Sequence, residues 1–257
     1  MTLELVIIFG IISICLGILP AFLIIIHKFG LKKRLWFSWF LGGAFWGLAL
    51  LARMPILILL QLNIEDFTSI VFLSASLAGI FETLFRVVLL CLFTKFVANS
   101  KEKLFMVGLG WGMMEAICLH TIPVLQIMIA PNNELLQQLQ GNEWTLVFGG
   151  IERILAEIFH LALIILVFYG VKDKLRNIEK SEPIANIFFT RDPKPVWLWV
   201  IIVAFLHFSF DYMLVSLTYS IGIIFTYLAG FVFVGIIVSY ITHRVKAYPL
   251  FLKKNKN

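Results

Sequence analysis

The sequence predicts an all-α fold: a polytopic membrane helix bundle of about seven transmembrane helices. Three observations carry that prediction. The 257 residues are 61% hydrophobic, with a mean hydropathy of +0.97. Only 14% are charged, where soluble domains carry about a quarter. Seven apolar runs come close to or exceed the ~20 residues that span a bilayer. No soluble domain fits between them, so 1–257 reads as a single integral membrane domain.

Taken in order, span 1 covers 5–26 and holds Pro20, a candidate kink. It does not read as a cleavable signal, because a basic leader and a small-residue cleavage site are both missing. Span 2 covers 35–60 and carries Arg53 before Met54 and Pro55. Span 3 covers 69–97 with Glu82 and Arg86. Span 4 covers 104–129, with Gly108, Gly110, Gly112, Glu115, His120 and Pro123. Span 5 covers 149–170, GGIERILAEIFHLALIILVFYG, and holds Glu152, Arg153, Glu157 and His160. Span 6 covers 196–219 with His207 and Asp211, and a Ser-Ile-Gly turn leads to span 7, 223–241.

Charge predicts the orientation. Of 21 Lys and Arg, 18 lie in the segments after spans 1, 3, 5 and 7, and none in the loops after spans 2, 4 and 6. The positive-inside rule then puts the N-terminus outside and the C-terminus inside. The net charge of +6 is a topology signal, not a nucleic-acid footprint. Cys15, Cys91 and Cys118 have no CxxC spacing and read as packing residues.

Ionisable groups in hydrocarbon are costly and usually face a bundle interior or a wet cavity. Glu115, His160 and His207 each lie ten or eleven residues from the predicted cytoplasmic end of their span. That is about 15–17 Å, near the middle of a ~30 Å core. Asp211, Glu157 and Arg86 fall within about a turn of that level, so acids and imidazoles from separate helices share one depth. Glu82 and Arg86, Arg153 and Glu157, and His207 and Asp211 are each spaced i, i+4, which places each pair on one face. Arg53 reads as structural, paired with an acid such as Glu152 at similar depth. His120 reads as a packing residue, and His27 and His243 as passive interface residues. The site core is expected within 69–219.

Four pieces carry a resemblance: Phe-Glu82-Thr-Leu-Phe-Arg86, Gly-Leu-Gly-Trp-Gly112-Met-Met-Glu115-Ala, Glu152-Arg153-Ile-Leu-Ala-Glu-Ile-Phe159-His160, and His207-Phe-Ser-Phe-Asp211. With them the chain resembles the YhfC-like family of bacterial membrane peptidases, distant relatives of the CAAX prenyl proteases and bacteriocin-processing enzymes. The superfamily pattern has two adjacent glutamates in its first motif, whereas Phe81 and Thr83 flank Glu82 here. Glu115 or Glu152 is the alternative for the role of the missing glutamate.

The resemblance implies hydrolysis of a peptide bond in a membrane-embedded or lipid-modified substrate, in the bacterial cytoplasmic membrane. On the motif match Glu82 is the general base, His160 orients the water, and His207, steadied by Asp211, stabilises the oxyanion. Arg86 fixes the carboxylate, Glu115 joins the catalytic set, and Glu152, Arg153 and Glu157 support it. The favoured chemistry uses no cofactor. The alternative is a zinc site built from His160, His207 and Glu115 or Glu82, although no His-Glu-x-x-His motif is present. A proton-coupled transporter and a non-catalytic scaffold or immunity protein are the rival readings. Lipid is the expected partner, and nucleic acid is not.

Overall fold

The computed structural model describes residues 3–129, 139, 142–178 and 196–247. Lys180, Arg191, Lys194, Lys253, Lys254 and Lys256, which enter the loop-charge count, lie outside the described residues. The described residues form helices: α1 (Leu3–Phe29), α2 (Lys33–Gln61), α3 (Phe67–Leu92), α4 (Thr94–Val97) and α5 (Lys101–Ala116). A π-helical turn (Ile117–Thr121) joins α5 to α6 (Ile122–Ile129). Then come α7 (Trp144–Ile178), α8 (Val196–Ile221) and α9 (Ile223–Ala247). Seven helical stretches are long and apolar enough to cross a membrane, in agreement with the expected count.

Two spans differ from their expected form. The third, expected to run to 97, ends at Leu92, and the four-residue α4 follows. At Phe93 the backbone leaves the helical region (φ −119°, ψ 26°), and the Thr94 hydroxyl bonds the Leu90 carbonyl at 2.6 Å. The fourth is not one regular helix. Pro123 cannot donate a backbone hydrogen bond to the preceding turn, and the π-helical turn lies just before it. In contrast, α1 and α2 run through Pro20 and Pro55 as continuous helices. Asp66 caps α3 by accepting from the Ser69 amide at 2.7 Å, and bonding from the Ser69 hydroxyl and amide holds its carboxyl below the usual carboxylate range.

α7 is the axis of the bundle and packs against α1, α3, α5, α8 and α9. Phe159, Leu163 and Ile164 on it are fully buried. α5 packs between α7 and α2, and its glycines explain how closely. A Cβ at Gly108 would stand 2.8 Å from Leu161 Cα, and one at Gly112 2.8 Å from Glu157 Cα, both on α7. A Cβ at Gly110 would overlap the Trp39 carbonyl of α2. The glycine run is therefore a two-sided seam that lets polar side chains of α5 reach those of α7, as small residues do between membrane helices.

Candidate functional site

The ionisable side chains of α2, α3, α5, α7 and α8 meet in one hydrogen-bonded cluster. Glu82 on α3 is its sealed end. Its Oε1 accepts from Arg53 of α2 at 3.0 Å, and its Oε2 accepts from Arg86 at 3.3 Å and from the Trp111 indole at 2.9 Å. Arg53 thus pairs with Glu82 rather than Glu152, because α2 packs on α3 and α5.

Arg86 is the hub. It is fully buried, with its guanidinium carbon 4.4 Å from the centroid of the Trp111 ring. One Nη lies 2.6 Å from His160 Nδ1, and the other lies 3.4 Å from His207 Nδ1. A guanidinium can only donate, so the Nδ1 atoms facing it are acceptors and each neutral ring carries its proton on Nε2. From Nε2, His160 meets Glu115 Oε2 at 2.7 Å. His207 Nε2 lies 3.4 Å from Asp211 Oδ2 and 3.7 Å from Glu82 Oε2. Both distances exceed a good N–H···O bond, so this proton is under-committed. The two imidazoles stand 5.3 Å apart, centroid to centroid, and nearly perpendicular.

Glu115 on α5 also accepts from Arg153 of α7 at 3.0 Å and from the Trp46 indole at 3.2 Å. Arg153 bonds Glu152 as well. The expected Arg153–Glu157 pair is not made. Arg153 reaches across to α5 instead, and Glu157 is buried against Gly112 with Oε1 unpartnered. Glu152 therefore touches the cluster through Arg153, and Glu157 lies beside it. His120 sits in the π-helical turn, outside the cluster, and bonds Ser13 of α1 at 2.9 Å.

Exposure grades across the cluster. The side chains of Glu82, His160 and His207 are 1–2% exposed, Glu115 and Arg153 12–13%, and Asp211 33%. The dry end lies toward the C-terminal part of α3. The open end lies toward the C-terminus of α2 and the N-terminus of α7, where Arg53 and Glu152 stand.

Trp46 and Trp111 are the members that sequence reasoning missed. A tryptophan deep inside a span needs an acceptor for its indole N–H, and Trp111 stands i, i+4 to Glu115. That need was the available signal.

Donor atoms of Glu82, His160 and His207 lie within 4.8 Å of one another, so the carboxylate joining the histidines in this set is Glu82 and not Glu115. Two imidazoles and a carboxylate are a zinc-type donor set. As arranged, however, the cluster does not fit a metal. Arg86 bonds Glu82 and lies against the Nδ1 atoms of both imidazoles. Ligation through Nε2 would leave Nδ1–H groups pointing at a guanidinium, donor against donor. A dication about 4 Å from that guanidinium would also meet a repulsion of about 8 kcal/mol at an effective dielectric of about 20. An apolar cavity of about 310 Å³ between α5, α7 and α9 shares no residue with the cluster.

No curated protein and no solved structure matches this chain. A family model described as YhfC intramembrane metalloprotease matches residues 18–181, which include Arg53, Glu82, Arg86, Glu115, Arg153 and His160 and stop short of His207 and Asp211. That match spans more than half of the sequence and agrees with the resemblance read from the motifs: the chain belongs to the YhfC intramembrane metalloprotease family.

Proposed function

We propose that this protein is an intramembrane peptidase in which Glu115, paired with His160, activates water against a peptide bond of a membrane-embedded or lipid-modified substrate. The observation that carries this reading is the contrast between the two central glutamates. Glu82 is sealed by two guanidinium groups and an indole, with its side chain 2% exposed. With three donors and so little exposure, that carboxylate offers no open face to water, whereas Glu115, also with three donors, is 13% exposed. Glu115 sits at the wetter end, 2.7 Å from His160 Nε2. The base is therefore moved from Glu82, where the motif match put it, to Glu115.

In this mechanism a water enters from the open end and donates to Glu115. The carboxylate takes its proton as oxygen attacks the carbonyl carbon. His160, fixed by Arg86 through Nδ1, donates from Nε2 to Glu115 and aims it. The under-committed Nε2–H of His207 turns to the developing oxyanion. Arg86 faces that ring at Nδ1, and the Asp211 carboxylate stands 3.4 Å from Nε2, where it favours a proton on that nitrogen. Collapse of the tetrahedral intermediate breaks the C–N bond, and Glu115 returns the proton to the leaving amine. Glu82 and Arg53 act as ballast that holds Arg86 in place.

The open end lies on the side of the loops that lack Lys and Arg. By the positive-inside rule that is the outer face, so water reaches the site from outside.

A metal-dependent reading is the second one, favoured by the Glu82, His160 and His207 donor set and by the family description. It requires Arg86 to leave the two Nδ1 atoms. Both readings are tested with the purified protein in proteoliposomes and a panel of membrane peptides. Cleavage that survives chelation and falls with Glu115→Gln supports the glutamate base. Cleavage lost on chelation and restored by zinc overturns it. Substrate uptake without cleavage would support a carrier instead.

A further inference from the structure

A cavity rimmed by cations lies at the opposite end of the bundle from the open side of the site. It has a volume of about 460 Å³ and is lined by Lys33, Arg34, Lys95 and Lys103 together with Phe37 and Phe96. Three elements build it: the first turn of α2, the short α4, and the first turn of α5. Among the described residues, none of these four cations forms an ion pair with a carboxylate, unlike Arg53, Arg86 and Arg153 deeper in the bundle.

The cavity is held in shape. Ser38 Oγ donates to the Phe96 carbonyl at 2.7 Å, tying α4 to α2. Lys103 Nζ donates to the Lys95 carbonyl at 2.9 Å, which pins one ammonium at the rim. Phe37 and Phe96 stack edge to face at 5.5 Å and form the floor. Below the rim, Phe37, Phe40 and Phe96 are exposed and line the bilayer-facing surface.

The geometry points to a binding site for the phosphate of an anionic phospholipid, of the phosphatidylglycerol class, with its acyl chains running down the Phe37 and Phe40 face of α2. The cavity sits at the ends of membrane spans, where a headgroup lies. Four like charges without counter-charge favour an anion, and exposed aromatics beneath them favour one that carries hydrocarbon. Basic pockets between transmembrane helices hold anionic headgroups for the same reasons. A soluble anion would use the cations but not the aromatic face.

Native mass spectrometry of the full chain, purified in a non-ionic detergent, tests the proposal. Equal amounts of phosphatidylglycerol and phosphatidylcholine are added, with inorganic phosphate as a separate competitor. Wild type is expected to retain phosphatidylglycerol at least about tenfold over phosphatidylcholine, as a gain of two favourable charge contacts or more implies. Lys95→Gln with Lys103→Gln should abolish that preference, while Lys172→Gln, on the same face but outside the cavity, should keep it. An unchanged thermal transition in detergent certifies that the variants fold. If they do not, the wild-type preference still decides. Equal retention of the two lipids overturns the site, as does equal loss in Lys172→Gln, which would mean diffuse surface attraction. Displacement of the lipid by millimolar phosphate would identify a free-phosphate site and overturn the lipid assignment.

Discussion

Each polar residue here is defined by how many partners it has. Glu82 has three donors and no free face, Glu115 has three donors and an open edge, and His207 holds a proton with no acceptor inside good hydrogen-bond range. Glu115→Gln is therefore expected to lower kcat by about 10²–10⁴-fold with the protein still folded. His207→Ala should cost about 10²–10³-fold in kcat with KM little changed, as for an oxyanion donor. Glu82→Gln belongs to a different class. It strands Arg86 in the interior and takes the acid from Arg53, a loss of about 3–5 kcal/mol, to be read as a drop in thermal stability in detergent rather than as a pure rate effect. A Glu82→Gln variant that stays fully stable but inactive would return the base role to Glu82. The motifs led to His160, His207, Glu82 and Glu115 and put the base at Glu82; the proposal moves it to Glu115, because a role depends on which lone pairs remain free once neighbours are satisfied. The mispairing of Arg53 with Glu152 has the same origin: equal depth is readable from spacing, and the direction a helix faces is not.

Among the helices, the α5 seam holds the site together. Its glycines let α2 and α7 approach so closely that Glu115 bridges Trp46 on one side and His160 and Arg153 on the other. A methyl at Gly112 would stand 2.8 Å from Glu157 Cα, so Gly112→Ala is expected to cost about 1–3 kcal/mol in a thermal or denaturant unfolding series. If Gly112→Ala is neutral, α5 and α7 are not in contact as described. At the α3 N-terminus the effect depends on pH. The Asp66 carboxyl is lowered by its Ser69 bonds, so its contribution is present above the unfolded carboxylate range and is lost as pH falls through the lowered value. The Tm difference between wild type and Asp66→Ala should shrink as pH drops from about 5 to about 3. The existence of both helices was legible from hydropathy. The π-helical turn was not, because Pro123 alone does not say whether a helix kinks, widens or, like α2 at Pro55, runs on.

For the whole molecule, the question is which face admits water. Graded exposure places the open end of the cluster toward the loop between α2 and α3 and away from the basic ends. In a background with Cys15, Cys91 and Cys118 replaced, a single cysteine at Asn63 is expected to react with an impermeant maleimide added outside intact cells. One at Asn99 should react only after permeabilisation. The reverse pattern would turn the molecule over and bring water to the site from the inside.

By itself the sequence determined the number of spans, the spacing of the polar residues along them, the membership of the family and the asymmetry of charge between the two ends. Family membership rests on the motifs and on the family-model match over residues 18–181; the others follow from one-dimensional quantities: run length, spacing and composition. Only the tertiary structure decided that Arg53 belongs to Glu82, that Arg86 stands among the groups a metal would need, and that Glu115 rather than Glu82 keeps an open side. The physical reason is that lipid-facing and helix-facing surfaces are both apolar in a membrane. The pattern along a span therefore does not encode its rotation, and rotation sets which partners a buried charge can reach.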